Sequence, residues 1–161
     1  MAVHQVVPAR LAAGLTEDEF LDTACCYTVI NTNSPLKLDA PMAMGIIEMA
    51  RRNHVCVVTP FTLLGAMAPV TLAGALVEQN AEALAGLCLS QLARPGARFV
   101  YGAFTSNVDM KSGAPAFGTP EYMKACLVAG QLARRYRLPY RTSSTNAANC
   151  VDAQAAYETV F

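Results

Sequence analysis

The sequence has no tryptophan, two histidines and few charges, with Asp, Glu, Lys and Arg making up 15% of 161 residues. Twelve basic residues balance twelve acidic ones, so the formal net charge is zero. Without a basic excess, the chain lacks the electrostatic footprint of a nucleic-acid or anionic-membrane binder. The six cysteines (25, 26, 56, 88, 126 and 150) form no C-x-x-C pair, and His4 and His54 lie far apart. Spacing therefore offers no zinc ligand set, and no metal is expected. No Walker lysine loop, G-x-G-x-x-G or H-E-x-x-H is present. Tyr101–Phe104 does not make a nucleophile elbow. Residues Met1–Arg10 lack the apolar core of a secretory signal, and scattered thiols suit a reducing compartment, so a cytoplasmic protein is expected. The uncharged run Val55–Val77 has about the length of a membrane span. Pro60 and Pro69, with Thr59, Thr62 and Gly65 around them, break it.

What is there is apolar. Hydrophobic residues are 53% of the chain and mean hydropathy is +0.29. Such a chain can bury a sizeable core, which excludes disorder. It is also apolar enough to suggest that some of its surface faces a partner or the rest of a longer protein.

The punctuation predicts alternating strands and helices in one domain spanning 1–161. Thr16 and Glu19 make a capping box, flanked by the Leu15/Phe20 staple, for a helix from Glu17 to Thr23. A strand at Tyr27–Ile30 follows, then a turn at Asn31–Pro35. Asp39 and Pro41 open a helix that ends near Arg52. Val55–Val58 reads as a strand buried on both faces, followed by a loop over Thr59–Ala68. Pro69 starts a long helix to Ala93. Phe99–Tyr101 is the next strand, and a long loop runs from Phe104 to Gly118. Thr119 caps a helix with Pro120 at its first position, ending near Tyr136. Leu138–Arg141 leads into a last strand, and Asp152 caps a final helix. This is α/β: consecutive parallel β/α units, about four of them. A closed eightfold barrel takes about 250 residues, so the expectation is a partial (β/α)8 (TIM) barrel, about half of one, or a small open sheet.

In such folds chemistry lies at the carboxyl ends of strands. Here those ends are Asn31–Ser34, Thr59–Thr62, Thr105–Lys111 and Thr142–Asn146, all rich in hydroxyls and amides. Asp109 could bind a cation, orient a hydroxyl or act as a base, or simply staple its loop. Lys111 could form a Schiff base if desolvated, though a solvated role suits it better. Phe61, Phe104 and Phe117 lie near the same rim and could face a quaternary ammonium, although core packing explains any one of them.

Several long strings at these loops resemble the trimethylamine methyltransferase family. They are TPFTLLGAMAPVTLAGAL (Thr59–Leu76), FTSNVDMKSGAPAFGTPEYMKA (Phe104–Ala125) and DAQAAYE (Asp152–Glu158), with AAGLTEDEF and INTNSPLKLDAPM earlier. The resemblance implies a longer β/α barrel that moves a methyl group from a methylamine or quaternary amine to Co(I) of a corrinoid (cobalamin) on a cognate partner protein. It implies no cofactor bound by this chain itself. No pyrrolysine occurs here, which points to glycine betaine or another quaternary amine. On this reading Asp109 is the catalytic candidate, facing the substrate cation. Asn31, Thr59, Phe61, Asn107 and Asn146 are the substrate-binding candidates. The chain would be a fragment, inactive alone, with open sheet edges that favour a homo-oligomer. The alternative is a non-catalytic half-barrel that binds small cations or assembles with a second chain.

Overall fold

The computed structural model describes residues 2–144 and 146–160, so Thr145 of the fourth strand end lies outside the described residues. The chain runs α1 (Ala2–Ala13), α2 (Glu17–Asp22), β1 (Tyr27–Thr32), α3 (Ala40–Arg51), β2 (Val55–Leu64) and α4 (Leu72–Ala93). It continues β3 (Phe99–Gly102), β4 (Phe104–Val108), β5 (Pro115–Ala116), α5 (Pro120–Arg135), β6 (Tyr140–Arg141) and α6 (Ala153–Val160). No described helix is long and apolar enough to cross a membrane.

Local signals account for most helix starts. Thr16 N donates to Glu19 Oε2 at 2.9 Å, and Thr16 Oγ1 accepts from Glu19 N at 3.4 Å, which closes the capping box of α2. Asp39 Oδ1 accepts from Met42 N at 2.9 Å at the start of α3. Thr119 Oγ1 accepts from Tyr122 N at 3.3 Å at the start of α5. The long helix begins later than Pro69 suggests, because Thr71 supplies the cap, accepting from Gly74 N at 3.3 Å. Helix α1 has Pro8 inside it, a residue that reads as a breaker, and the sequence pattern does not predict it.

β1 pairs parallel with β2 from Tyr27↔Val55 to Thr32↔Pro60. β2 also pairs parallel with β3 and β4, which are two stretches of one strand held in the same register. β6 pairs parallel with β3. The four parallel strands therefore lie side by side in chain order, and the sheet is open, not a closed barrel. Two expected loops are corrected. β2 extends through Pro60 to Leu64, and the expected loop Phe104–Gly118 contains β4 and an antiparallel hairpin partner, β5. Tertiary pairing outweighs the local breaker here. The shared register sets Pro60 opposite Ala103, and Pro60 has no N–H for the ladder. The strand is interrupted at that residue, and Ala103 N donates instead to Arg141 O at 3.1 Å.

The core lies between the sheet and one helix layer. Ile30, Cys56, Val58, Phe99, Tyr101 and Ala103 project from alternate strand positions onto Ile46 and Met49 of α3, Ala83 of α4, and Ala129 and Ala133 of α5. Gly86 lets α4 approach β2, because a Cβ there would lie 2.8 Å from Val58 Cγ1. On the opposite sheet face, Tyr27, Val55, Val57 and Val100 line an open cavity of about 300 Å³. Tyr27 and Val29 are exposed there.

Candidate active site

The carboxyl ends of the four parallel strands gather at one rim, as the architecture requires. Thr59 and Phe61 alternate with Val58 and Thr62, so they share the sheet face away from the helices. They are two residues apart, about 7 Å along the strand. Asn31 is the register partner of Thr59 and lies on the same face, exposed. The fold brings these three candidates together. Thr59 is buried, and its hydroxyl has no hydrogen-bond partner among the described residues. Gly102 makes room for it. A Cβ at Gly102 would collide with Thr59 Oγ1 and lie 2.6 Å from Val58 O.

Aromatic rings continue this face. Phe61 stacks on its register partner Phe104, with centroids 4.6 Å apart and planes at 8°. Phe104 meets Phe117 edge-on at 5.6 Å and Tyr122 at 5.7 Å. The three phenylalanines singled out in the sequence thus form one cluster, with Tyr122 as a fourth ring. Phe61 is half-buried and Phe117 is exposed. Such rings offer a negative π surface to a methylated ammonium group.

The other candidates sit elsewhere. Asn107 points to the start of α5, where its Oδ1 accepts from Thr119 Oγ1 at 2.6 Å. Asp109 is at the exposed tip of the β4–β5 hairpin, and its carboxylate is occupied. Oδ2 accepts from Ser112 Oγ at 2.5 Å and Ser112 N at 3.1 Å, and Oδ1 accepts from Lys111 N at 3.3 Å. These bonds, the Ser112 hydroxyl first, hold its carboxyl below the usual value. Lys111 is exposed, so nothing desolvates its amine for Schiff-base chemistry. Asn146 is tied to its own segment. Its Nδ2 donates to Ala155 O at 3.4 Å and Thr159 Oγ1 at 3.3 Å, and its Oδ1 accepts from Ala148 N at 2.7 Å.

Two buried polar groups of α4 support the rim, and the sequence reading does not single them out. Glu82 accepts from the Thr32 hydroxyl, from Ser34 Oγ at 2.9 Å and from Leu36 N at 2.7 Å, so it shapes the segment after β1. Gln79 is fully buried and donates to Tyr101 Oη at 3.1 Å. Tyr101 in turn donates to Asn80 Oδ1 at 2.9 Å, and burial pushes its hydroxyl up to about 12. The sequence gives little signal for them: Glu78, Gln79, Asn80 and Glu82 stand together in α4, and only packing decides that Gln79 and Glu82, three apart, are the buried ones. Across the sheet, Thr62 and Thr105 share a hydroxyl–hydroxyl bond of 2.5 Å that ties β2 to β4.

Known proteins are similar to this sequence. A sequence model of the trimethylamine methyltransferase family matches residues 3–161. Glycine betaine methyltransferase of Desulfitobacterium hafniense (strain Y51) is 37% identical over 146 residues, 90% of this chain and 30% of the relative. Trimethylamine methyltransferase MttB of Methanosarcina barkeri (strain Fusaro) is 39% identical over 126 residues, 78% of this chain and 26% of the relative. Its namesake in Desulfitobacterium hafniense (strain DCB-2) is 33% identical over 151 residues, 93% of this chain and 30% of the relative. The chain thus spans about 30% or less of the length of these relatives. With the match running from residue 3 to the last residue, the chain belongs to the trimethylamine methyltransferase family.

Proposed function

We propose that this chain contributes part of the substrate rim of an enzyme that moves a methyl group from a quaternary amine, glycine betaine the first choice, to Co(I) of a corrinoid on a cognate partner protein. The observation that carries the substrate class is the Phe61–Phe104–Phe117–Tyr122 cluster beside the unpartnered Thr59 hydroxyl. A tetramethylammonium-like head is large, apolar and cationic. It gains from aromatic faces and from exclusion of water more than from an ion pair. One relative bears the name glycine betaine methyltransferase, which supports the same choice.

The bond to be broken joins nitrogen to a methyl carbon. The electron pair stays on nitrogen, and a neutral tertiary amine leaves, so no proton need be delivered. The partner's corrinoid supplies the nucleophile that accepts the methyl group. Positioning and desolvation are then what the protein residues contribute. Phe61 and Phe104 hold the ammonium head, and Thr59 and Asn31 offer polar contacts on the same face. Asn107 and Asp109 act as positioning residues. The first fixes the start of α5, and the second fixes the hairpin that presents Phe117. Asn146 is assigned a positioning role at the fourth strand end, where it ties its segment to α6.

The consecutive strand order, the single helix layer and the open opposite face support the reading that these units are an arc of a (β/α)8 barrel. Six unpaired thiols agree with a cytoplasmic setting.

The test uses the full-length protein with its corrinoid partner and follows methylation of cob(I)alamin by glycine betaine. Phe61→Ala should raise KM roughly two- to thirty-fold, the loss of about 0.5–2 kcal/mol of cation–π attraction. An unchanged KM would remove the aromatic face from substrate binding. No methylation by the wild type would overturn the choice of glycine betaine.

A further inference from the structure

At the opposite, amino end of the sheet lies a cluster that the methyl-transfer reading does not use. Cys26 immediately precedes β1 and His54 immediately precedes β2. The register Tyr27↔Val55 therefore sets Cys26 beside His54. With Cys25, the two thiols and the imidazole bring their ligand atoms within 4.8 Å of one another.

His54 is fully buried, and neither of its ring nitrogens has a hydrogen-bond partner among the described residues. A buried imidazole ordinarily satisfies at least one nitrogen, so an orphaned pair needs an explanation. Packing gives only half of one: Phe20 covers one side of the ring edge-on at 4.2 Å. The backbone around the cluster is held. Asn53 Nδ2 donates to Leu21 O at 3.0 Å, and Arg98 Nη2 donates to Asp22 O at 3.0 Å, so the end of α2 is pinned beside β2. Cys25 is exposed, and Cys25 and Cys26 both line the 300 Å³ cavity.

We propose that Cys25, Cys26 and His54 bind one thiophilic divalent metal ion such as Zn²⁺. Two sulfurs and one nitrogen are ligands that zinc prefers over oxygen-binding ions. Bond lengths of about 2.3 Å to sulfur and 2.0–2.1 Å to nitrogen ask the three donors to close in by about 1 Å, within the reach of cysteine rotamers. Water takes the fourth position on the exposed Cys25 side. Binding replaces two thiol protons, which pass to the buffer. The ion ties the loop after α2 to the start of β2. It lies at the amino ends of the strands, away from the rim, where β/α folds place stabilising features and not chemistry.

The test titrates the reduced chain with Zn²⁺ against a chromophoric chelator and repeats the titration with Co²⁺, whose thiolate charge-transfer band reports sulfur ligation. One ion per chain is expected, with Cys25 and Cys26 shielded from alkylation when it is bound. Cys25→Ser, at an exposed position, and Cys26→Ser should each weaken binding at least roughly tenfold, since even outer-shell changes cost ten- to a hundred-fold. Cys88→Ser and Cys150→Ser should bind as the wild type does. Circular dichroism establishes that each variant is folded. Absence of binding by the reduced wild type would overturn the proposal. So would equal binding by both of the Cys25 and Cys26 variants, or a Cys25–Cys26 disulfide that survives reductant.

Discussion

Replacing Glu82 by alanine should destabilise the chain severely, although Glu82 touches no candidate substrate contact. Its carboxylate is buried and takes three donors: the hydroxyls of Thr32 and Ser34 and the backbone N–H of Leu36. A hydrogen bond to a charged acceptor contributes about 1.5–3 kcal/mol, and a buried donor left unmade costs about 1–3 kcal/mol. Ser34 can turn to water once its partner is gone. Thr32 is buried, and the Leu36 N–H is held in a turn of positive φ, so neither can do so freely. The sum for Glu82→Ala is about 3–5 kcal/mol, a large part of the 5–15 kcal/mol that a domain of this size has. Glu82→Gln keeps Oε1 for Leu36 N, and its amide can donate to hydroxyls that turn to accept, so about 1–2 kcal/mol is expected. Urea unfolding followed by circular dichroism gives both numbers. Limited proteolysis gives the local effect: the segment 33–38 should be cut faster in Glu82→Ala. A midpoint shift below about 0.5 kcal/mol would refute the reasoning and place the anchorage of this segment elsewhere.

Gly102→Ala should cost about 1–3 kcal/mol in urea unfolding, because the added methyl meets Val58 O and Thr59 Cα, backbone that cannot step aside. Burial, with the Glu82 charge second, raises the Glu78 carboxyl above its ordinary 4.5. The unfolded chain therefore loses this proton first, and stability should fall as pH rises from about 4.5 through the higher folded value. Glu78→Gln should flatten that fall and be the more stable chain at pH 7, as read from urea midpoints across a pH series. Asp109→Ala frees the amides of Lys111 and Ser112. Faster proteolysis at 109–114 with little change in the urea midpoint is expected, and unchanged proteolysis would end its assignment as the hairpin's organiser.

Local chemistry made much of the fold legible. Capping residues Thr16, Asp39 and Thr119 each bond the backbone N–H that their spacing indicates, because a helix start is decided within four residues. Alternation of apolar strand and capped helix was enough for parallel β/α units. The hydroxyl- and amide-rich strand ends marked the rim, and long strings within them carried the family resemblance that the comparisons bear out.

Pairing partners were out of reach of any local pattern. Pro60 and Phe104–Val108 look like loop until neighbouring strands in one register claim them. The same holds for side-chain direction. Asn31, Thr59 and Phe61 share a face because strand parity and register agree, whereas Asn107, three residues past Phe104, turns to α5. Glu82 finds Thr32, and His54 finds Cys25 and Cys26, only once β1, β2 and α4 are packed. By itself, then, the sequence determined where the capped helices α2, α3 and α5 begin, which segments alternate and which family the chain joins, since these rest on neighbours along the chain. Only the tertiary structure decided which of its polar groups share a site, because hydrogen bonds and ligand sets form between residues that meet only when the sheet is assembled.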